Sequence, residues 1–188
     1  LVQHYQIPMA DLGNIHQGAS SEDTGIAISE VTAALIRENI LPVFVVQDQR
    51  WGYFFYRAFE HYGSYASLAW VASGIKLWDQ SGNGTLLNRI FTHRPNFLFN
   101  FSALGYQSYY TESETLQALQ KMYFDTYRLG WVNQNMEEAE PLLRSCDLLM
   151  TDMSAVRASD FPAQVNPSPN GFFGDEMCRL IRYAGMSN

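Results

Sequence analysis

Residues 147–176 read DLLMTDMSAVRASDFPAQVNPSPNGFFGDE. The stretch opens on an apolar run, Leu148-Leu149-Met150, that closes on Thr151-Asp152. A short apolar run ending in a carboxylate is the pattern of a buried parallel strand with an acid at its carboxyl edge. Pro162, Pro167, Pro169 and Gly171 follow; spaced this way they break regular structure and predict a wall-forming loop. A helix is predicted over Gly174–Ala184. In open α/β sheets, ligands bind outside the carboxyl ends of the strands, so this strand–loop–helix unit marks the expected pocket.

Outward from it, the chain alternates apolar runs with capped helical stretches, which is the signature of a parallel α/β sheet covered on both faces. LPVFVV at 41–46 is apolar throughout and predicts a central strand buried on both faces. SLAWVASGIKL at 67–77 and the run at 97–104 predict two more, and 147–152 completes a parallel set. Residues 7–12 form a short strand candidate, and 80–84 (QSGNG) a flexible loop. A helix opens at Ser20-Ser21-Glu22-Asp23, where a Ser cap and first-turn acids suit the free N–H groups. Its apolar face is read as Ile26, Ile28, Val31, Leu35 and Ile36, with Asn39 as its stop. Further helices are predicted over 52–63, 86–91, 113–122 and 137–146. No repeat or low-complexity tract interrupts the pattern.

Composition narrows the function classes. The chain has 188 residues, 47% of them hydrophobic, enough for one well-filled core. Net charge is −7 with no Lys/Arg cluster, so a nucleic-acid partner has no electrostatic footing. No apolar run approaches the ~20 residues of a membrane span. The first residues, LVQHYQIPMADLG, lack the charged and apolar regions of a signal peptide. Cys146 and Cys178 form no C-x-x-C and are expected to be buried thiols. A cytoplasmic protein is the expectation. There is no G-x-S-x-G elbow and no phosphate-binding glycine loop, and no His stands beside Ser73, Ser154 or Cys178 in the sequence.

The 147–176 stretch resembles the third signature of the arginase/agmatinase/formimidoylglutamase (ureohydrolase) family, D-x-D-x-x-D-P followed by prolines, a glycine and a glutamate. Asp152 takes the first Asp, Ser154 the second and Arg157 the third, while Pro162, Pro167, Gly171 and Glu176 match. YRAFE at 56–60 and YFDTYRLG at 123–130 resemble the bacterial formimidoylglutamase-like branch. The resemblance implies a three-layer arginase-like fold with a central parallel sheet. It also implies that 1–188 is a single ureohydrolase-like α/β domain, incomplete at both ends.

The family holds two manganese ions, and the resemblance places its ligands at Gln49, Ala72, Gly74, Lys76, Asp152 and Ser154. Only Asp152 keeps a carboxylate. An amide, a methyl, a hydrogen, an ammonium and a hydroxyl stand at the others, and these cannot fill the shells of two divalent ions. No manganese or other cofactor is therefore expected, and the chemistry of the family, hydroxide attack on an amidine or guanidinium carbon, is expected to be lost. The expectation is a non-catalytic binding or scaffold protein that meets a protein partner or associates with itself. Two other readings stand beside it: a formimidoylglutamase-type hydrolase of a linear C–N bond with an altered centre, and a small-molecule sensor using the old pocket. Pocket candidates are Glu176, Arg157, Asp152 and Asn170. Glu176 would pair with a guanidino or formimino ligand, or else cap the last helix. Arg157 would recognise a carboxylate, or else pair with Asp152 or Asp160. With no metal, Asp152 is expected to find a cation, Lys76 or Arg157, beside it.

Overall fold

The computed structural model describes residues 8–79 and 84–186. Three strands arise where the apolar runs predict them: β1 (Ala66–Val71), β2 (Leu98–Tyr106) and β4 (Leu148–Thr151). A fourth, β3 (Asp125–Arg128), lies within the YFDTYRLG stretch. They form one sheet in the order β3-β2-β1-β4, and every pairing is parallel, with Trp70 opposite Ala103 on one side and Met150 on the other.

Among the described residues, seven helices connect and cover the strands: α1 (Ser21–Arg37), α2 (Gly52–Tyr62), α3 (Leu86–Thr92), α4 (Ser113–Lys121), α5 (Leu129–Gln134), α6 (Ala139–Arg144) and α7 (Gly174–Ala184). The period-two alternation of β1 divides the core. Leu68, Trp70 and Ala72 face a cluster with Tyr56 of α2, Leu86, Leu87 and Ile90 of α3 and Leu119 of α4. Ala69 and Val71 face the other side, with Val132 of α5, Leu143 of α6 and Met177 and Leu180 of α7. The sheet is thus covered on both faces, which is why β1 reads as a near-continuous apolar run. Phe101 and Phe172, each 0% exposed, anchor the two clusters.

Helix ends follow their local chemistry. The Ser20 hydroxyl accepts the Asp23 N–H at 3.1 Å and the Asp23 carboxylate accepts the Ser20 N–H at 2.9 Å. This reciprocal cap satisfies donors that have no intrahelical partner. At the other end Asn39 adopts φ 55° and the Ile40 N–H reaches back to the Leu35 carbonyl at 3.0 Å. That is a helix stop closed by a left-handed residue.

Four expectations are corrected. Residues 41–46 form no strand: they lie outside the sheet, with Leu41, Val43 and Val45 exposed by 81%, 85% and 98%. Residues 8–12 are likewise exposed and irregular. The buried side of α1 is made by Thr24, Gly25, Ile28, Ser29, Thr32 and Ala33, whereas Ile26 and Val31 face out. Small side chains let α1 lie close against the aromatic face of α2, so size rather than hydrophobicity sets its orientation. Cys178 is exposed, although Cys146 is buried. Most of the predicted 80–84 loop, residues 80–83, lies outside the described residues, as do residues 1–7.

Candidate functional site at the carboxyl edge of the sheet

Chain order runs outward through β1, β2 and β3 and then returns to place β4 on the far side of β1. The reversal puts a topological switch point between β1 and β4, the position where open α/β sheets form their crevice. Two short segments leave the sheet there, Ala72-Ser73-Gly74 after β1 and Asp152-Met153-Ser154 after β4. They meet through a hydrogen bond of 2.9 Å between the Ser73 and Ser154 hydroxyls.

Asp152 is turned to local work. Its N–H donates to the Val71 carbonyl at 2.8 Å, continuing the ladder by one residue, and its Oδ1 accepts the Ser154 N–H at 2.8 Å. The carboxylate thereby caps the turn Met153–Ala155 that presents the Ser154 hydroxyl. The expected counter-charge is not there: among the described residues neither Lys76 nor Arg157 forms an ion pair with Asp152. Lys76 is exposed, and its carbonyl accepts the Thr85 hydroxyl. Backbone N–H donation, rather than a cation, answers the charge of Asp152.

The remaining positions divide sharply. Ala72 points into the core beside Trp70 and is 3% exposed. Gly74 lies under the backbone of the β2 loop, where an added Cβ would sit 2.8 Å from the Tyr110 carbonyl oxygen. Any side chain there would force backbone to move. Gln49 lies exposed in the turn before α2 and makes no hydrogen bond to the other site residues. Hence only Asp152 and Ser154, with Ser73, come together. Among the described residues no three His, Cys, Asp or Glu side chains are placed to share a metal ion. This donor set does not fit a two-manganese centre: one carboxylate already caps a turn, two hydroxyls bond each other, and the glycine position has no room for a ligand.

The proline-rich loop docks against the segment that follows β4. The Phe172 N–H donates to the Ala155 carbonyl at 2.8 Å and the Arg157 N–H to the Phe172 carbonyl at 3.0 Å, a one-residue parallel bridge that docks the loop against the segment after β4. The approach requires Gly171, since a Cβ there would stand 2.6 Å from the Arg157 nitrogen. Arg157 lays its guanidinium over the Phe173 ring, 3.1 Å from the centroid, a cation–π contact. Its charge acts on Asp160. The Asp160 carboxyl is held below the usual range by the Gly174 N–H, then by the Ser159 hydroxyl and by Arg157. Glu176 accepts the Phe173 N–H at 2.8 Å, so its carboxylate caps α7.

Asn170 belongs to an amide network that the sequence did not reveal. Gln107, 4% exposed at the end of β2, donates to the Asn170 carbonyl at 3.2 Å. Its Oε1 accepts from Asn170 Nδ2 at 2.9 Å and from the Tyr109 hydroxyl. The network ties the loop after β2 to the proline-rich wall. The only sequence cue was a lone amide one residue beyond an apolar strand. Ser73 had a weaker cue still, because pairing across the sheet, not neighbours in sequence, gives it Ser154.

No family model and no curated protein matches the sequence, but solved structures do match the fold. The formimidoylglutamase of Bacillus subtilis superposes with a TM-score of 0.76 at 16% identity, covering 92% of this chain and 59% of that one. The formiminoglutamase of Trypanosoma cruzi gives 0.80 at 15%, covering 94% and 62%. The arginase of Bacillus subtilis gives 0.74 at 17%, covering 94% and 72%. The chain has an arginase-like fold. It spans about three fifths of the length of the formimidoylglutamases it matches. An arginase-like protein of Trypanosoma brucei also superposes, with a TM-score of 0.68 at 13% identity, in a double mutant that changes two serines to aspartate. Among the described residues of this arginase-like chain, no helix is long and apolar enough to cross a membrane.

Proposed function

We propose that this arginase-like chain is a non-catalytic binding or scaffold protein, and that its carboxyl-edge site works without manganese. The reading is carried by the Ser73–Ser154 hydroxyl contact at the switch point, where a dinuclear hydrolase of this fold would need carboxylates. Gly74, packed under Tyr110, supports it, because it leaves no volume for a further ligand.

A sensor that grips a guanidino or formimino group through Glu176 and Arg157 has less support. Both side chains are already engaged, one capping α7 and one stacked on Phe173. The test combines metal analysis with turnover. Protein purified without chelators and then equilibrated with manganese is expected to retain well under one ion per chain and to leave formiminoglutamate and arginine unhydrolysed. Stoichiometric manganese accompanied by release of formamide or urea would overturn the proposal.

A further inference from the structure

Asn170 and Gly171 are one of two Asn-Gly pairs in the sequence; Asn83 of the other lies outside the described residues. Such a pair is prone to lose the side-chain amide, because glycine sets no Cβ in the way as its nitrogen turns towards the asparagine Cγ. At 170 both reacting groups are available. Asn170 is exposed, and among the described residues neither its Oδ1 nor the Gly171 N–H takes part in a hydrogen bond. What is tied is the nitrogen that leaves. Nδ2 donates to Gln107 Oε1 at 2.9 Å and to the Tyr109 hydroxyl at 3.3 Å.

We propose that Asn170-Gly171 is a self-modification site, and that its conversion unties the loop after β2 from the proline-rich loop. The Gly171 nitrogen bonds to Asn170 Cγ and the Cγ–Nδ2 bond breaks. Nδ2 departs as ammonia, taking the proton given up by the Gly171 amide, and a succinimide remains. One solvent water then opens the ring, at Cγ to give aspartate or at the main-chain carbonyl to give isoaspartate. No oxidant, reductant or metal is needed, and the step does not depend on whether the carboxyl-edge site is catalytic.

Both products are incompatible with the network. A carboxylate at 170 has no hydrogen to donate, so it meets Gln107 Oε1 acceptor to acceptor, beside a residue only 4% exposed. Turning the Gln107 amide over serves the carboxylate but sets Oε1 against the carbonyl of residue 170, where Nε2 now donates at 3.2 Å. Either way a buried polar group loses its partner. Isoaspartate adds a methylene to the main chain beside Gly171. That backbone has no slack, since even a Cβ on Gly171 would stand 2.6 Å from the Arg157 nitrogen.

The folded chain, incubated for several days at mildly alkaline pH, is expected to gain the mass of an amide turned to an acid in the peptide that holds residue 170. Isoaspartyl methyltransferase should label the same peptide. Amide exchange at 107–110 and 168–172 should quicken by about tenfold in the converted fraction, as loss of one or two hydrogen bonds implies. Asn170→Asp makes one product directly and should show the faster exchange without incubation. Asn170→Gln must close a six-membered ring to react, so it should stay unconverted at 170 and exchange alike before and after incubation. This variant also controls for any conversion at Asn83. Conversion at 170 only in the urea-unfolded chain, exchange that is unchanged in both the converted fraction and Asn170→Asp, or an Asn170→Gln chain that loosens equally on incubation would each overturn the proposal.

Discussion

Gly74 and Lys76 stand two residues apart and should answer the same substitution in opposite ways. In Gly74→Asp, the new Cβ begins 2.8 Å from the Tyr110 carbonyl oxygen and adds a carboxylate against it. We expect a loss of about 2–3 kcal/mol, the usual range for forced overpacking. Lys76→Asp changes an exposed side chain that forms no ion pair among the described residues, and should stay within about 0.5 kcal/mol. Thermal melts of the two variants separate these outcomes, and a midpoint for Lys76→Asp well below wild type would restore its role as counter-charge. The cysteines differ as sharply. Burial, with Asp147 nearby, pushes the Cys146 thiol up to about 11, while Cys178 is exposed. At pH 8 a disulfide reagent is expected to modify one thiol quickly, with the second following only as the protein opens. Because the folded thiol keeps its proton longer than the unfolded one, its contribution to stability is complete below about pH 9 and is lost as pH rises towards 11.

Among the elements, α4 is followed, two residues past Lys121, by Tyr123, which holds φ 59° while 92% exposed. The Phe124 N–H returns to the Leu119 carbonyl at 3.0 Å, the bond that closes a helix whose next residue is left-handed. A tyrosine there carries a backbone cost of roughly 1–2 kcal/mol that glycine avoids. Tyr123→Gly is expected to raise the melting midpoint by a few degrees, after the extra freedom of the unfolded glycine is subtracted. An unchanged or lower midpoint would show that the ring makes a contact worth the strain. Elements whose signals are local were legible in the sequence. The Ser20 cap, the Asn39 stop and the bounds of α7 each depend on residues within one turn. Residues 41–46 were not. Their pattern records a capacity to be buried, whereas burial needs a neighbouring strand that no local rule supplies.

For the molecule as a whole, the sheet is a shared wall between two cores, so damage to either should be felt in both. Phe101 sits in the cluster under α3 and α4, and Phe172 in the cluster under α5, α6 and α7. Replacing either by alanine is expected to cost about 3–5 kcal/mol. Urea unfolding followed by circular dichroism and by tryptophan emission should show one shared transition in each variant. Separate transitions would mean that the two faces fold independently. At this scale the sequence was informative about architecture and poor about the site. The parallel α/β class was plain from apolar runs alternating with helical stretches, whereas the order of the strands was not. Which polar atoms touch at the carboxyl edge depends on register between distant strands. Asp152 and Ser154 could be placed there through resemblance, while Ser73 and Gln107 required the sheet itself.

The Ser73–Ser154 bond joins residues 81 apart in the sequence, and that separation governs when it can form. β1 meets β2 across a much shorter connection than the one that brings Leu148 beside Leu68. Closing the longer loop costs more chain entropy, and contacts of high sequence separation slow folding. The β1–β4 pairing is therefore expected to be the last step of sheet assembly. The hydroxyl pair comes into being only as that step completes, which makes it a reporter of the finished fold rather than a nucleus for it.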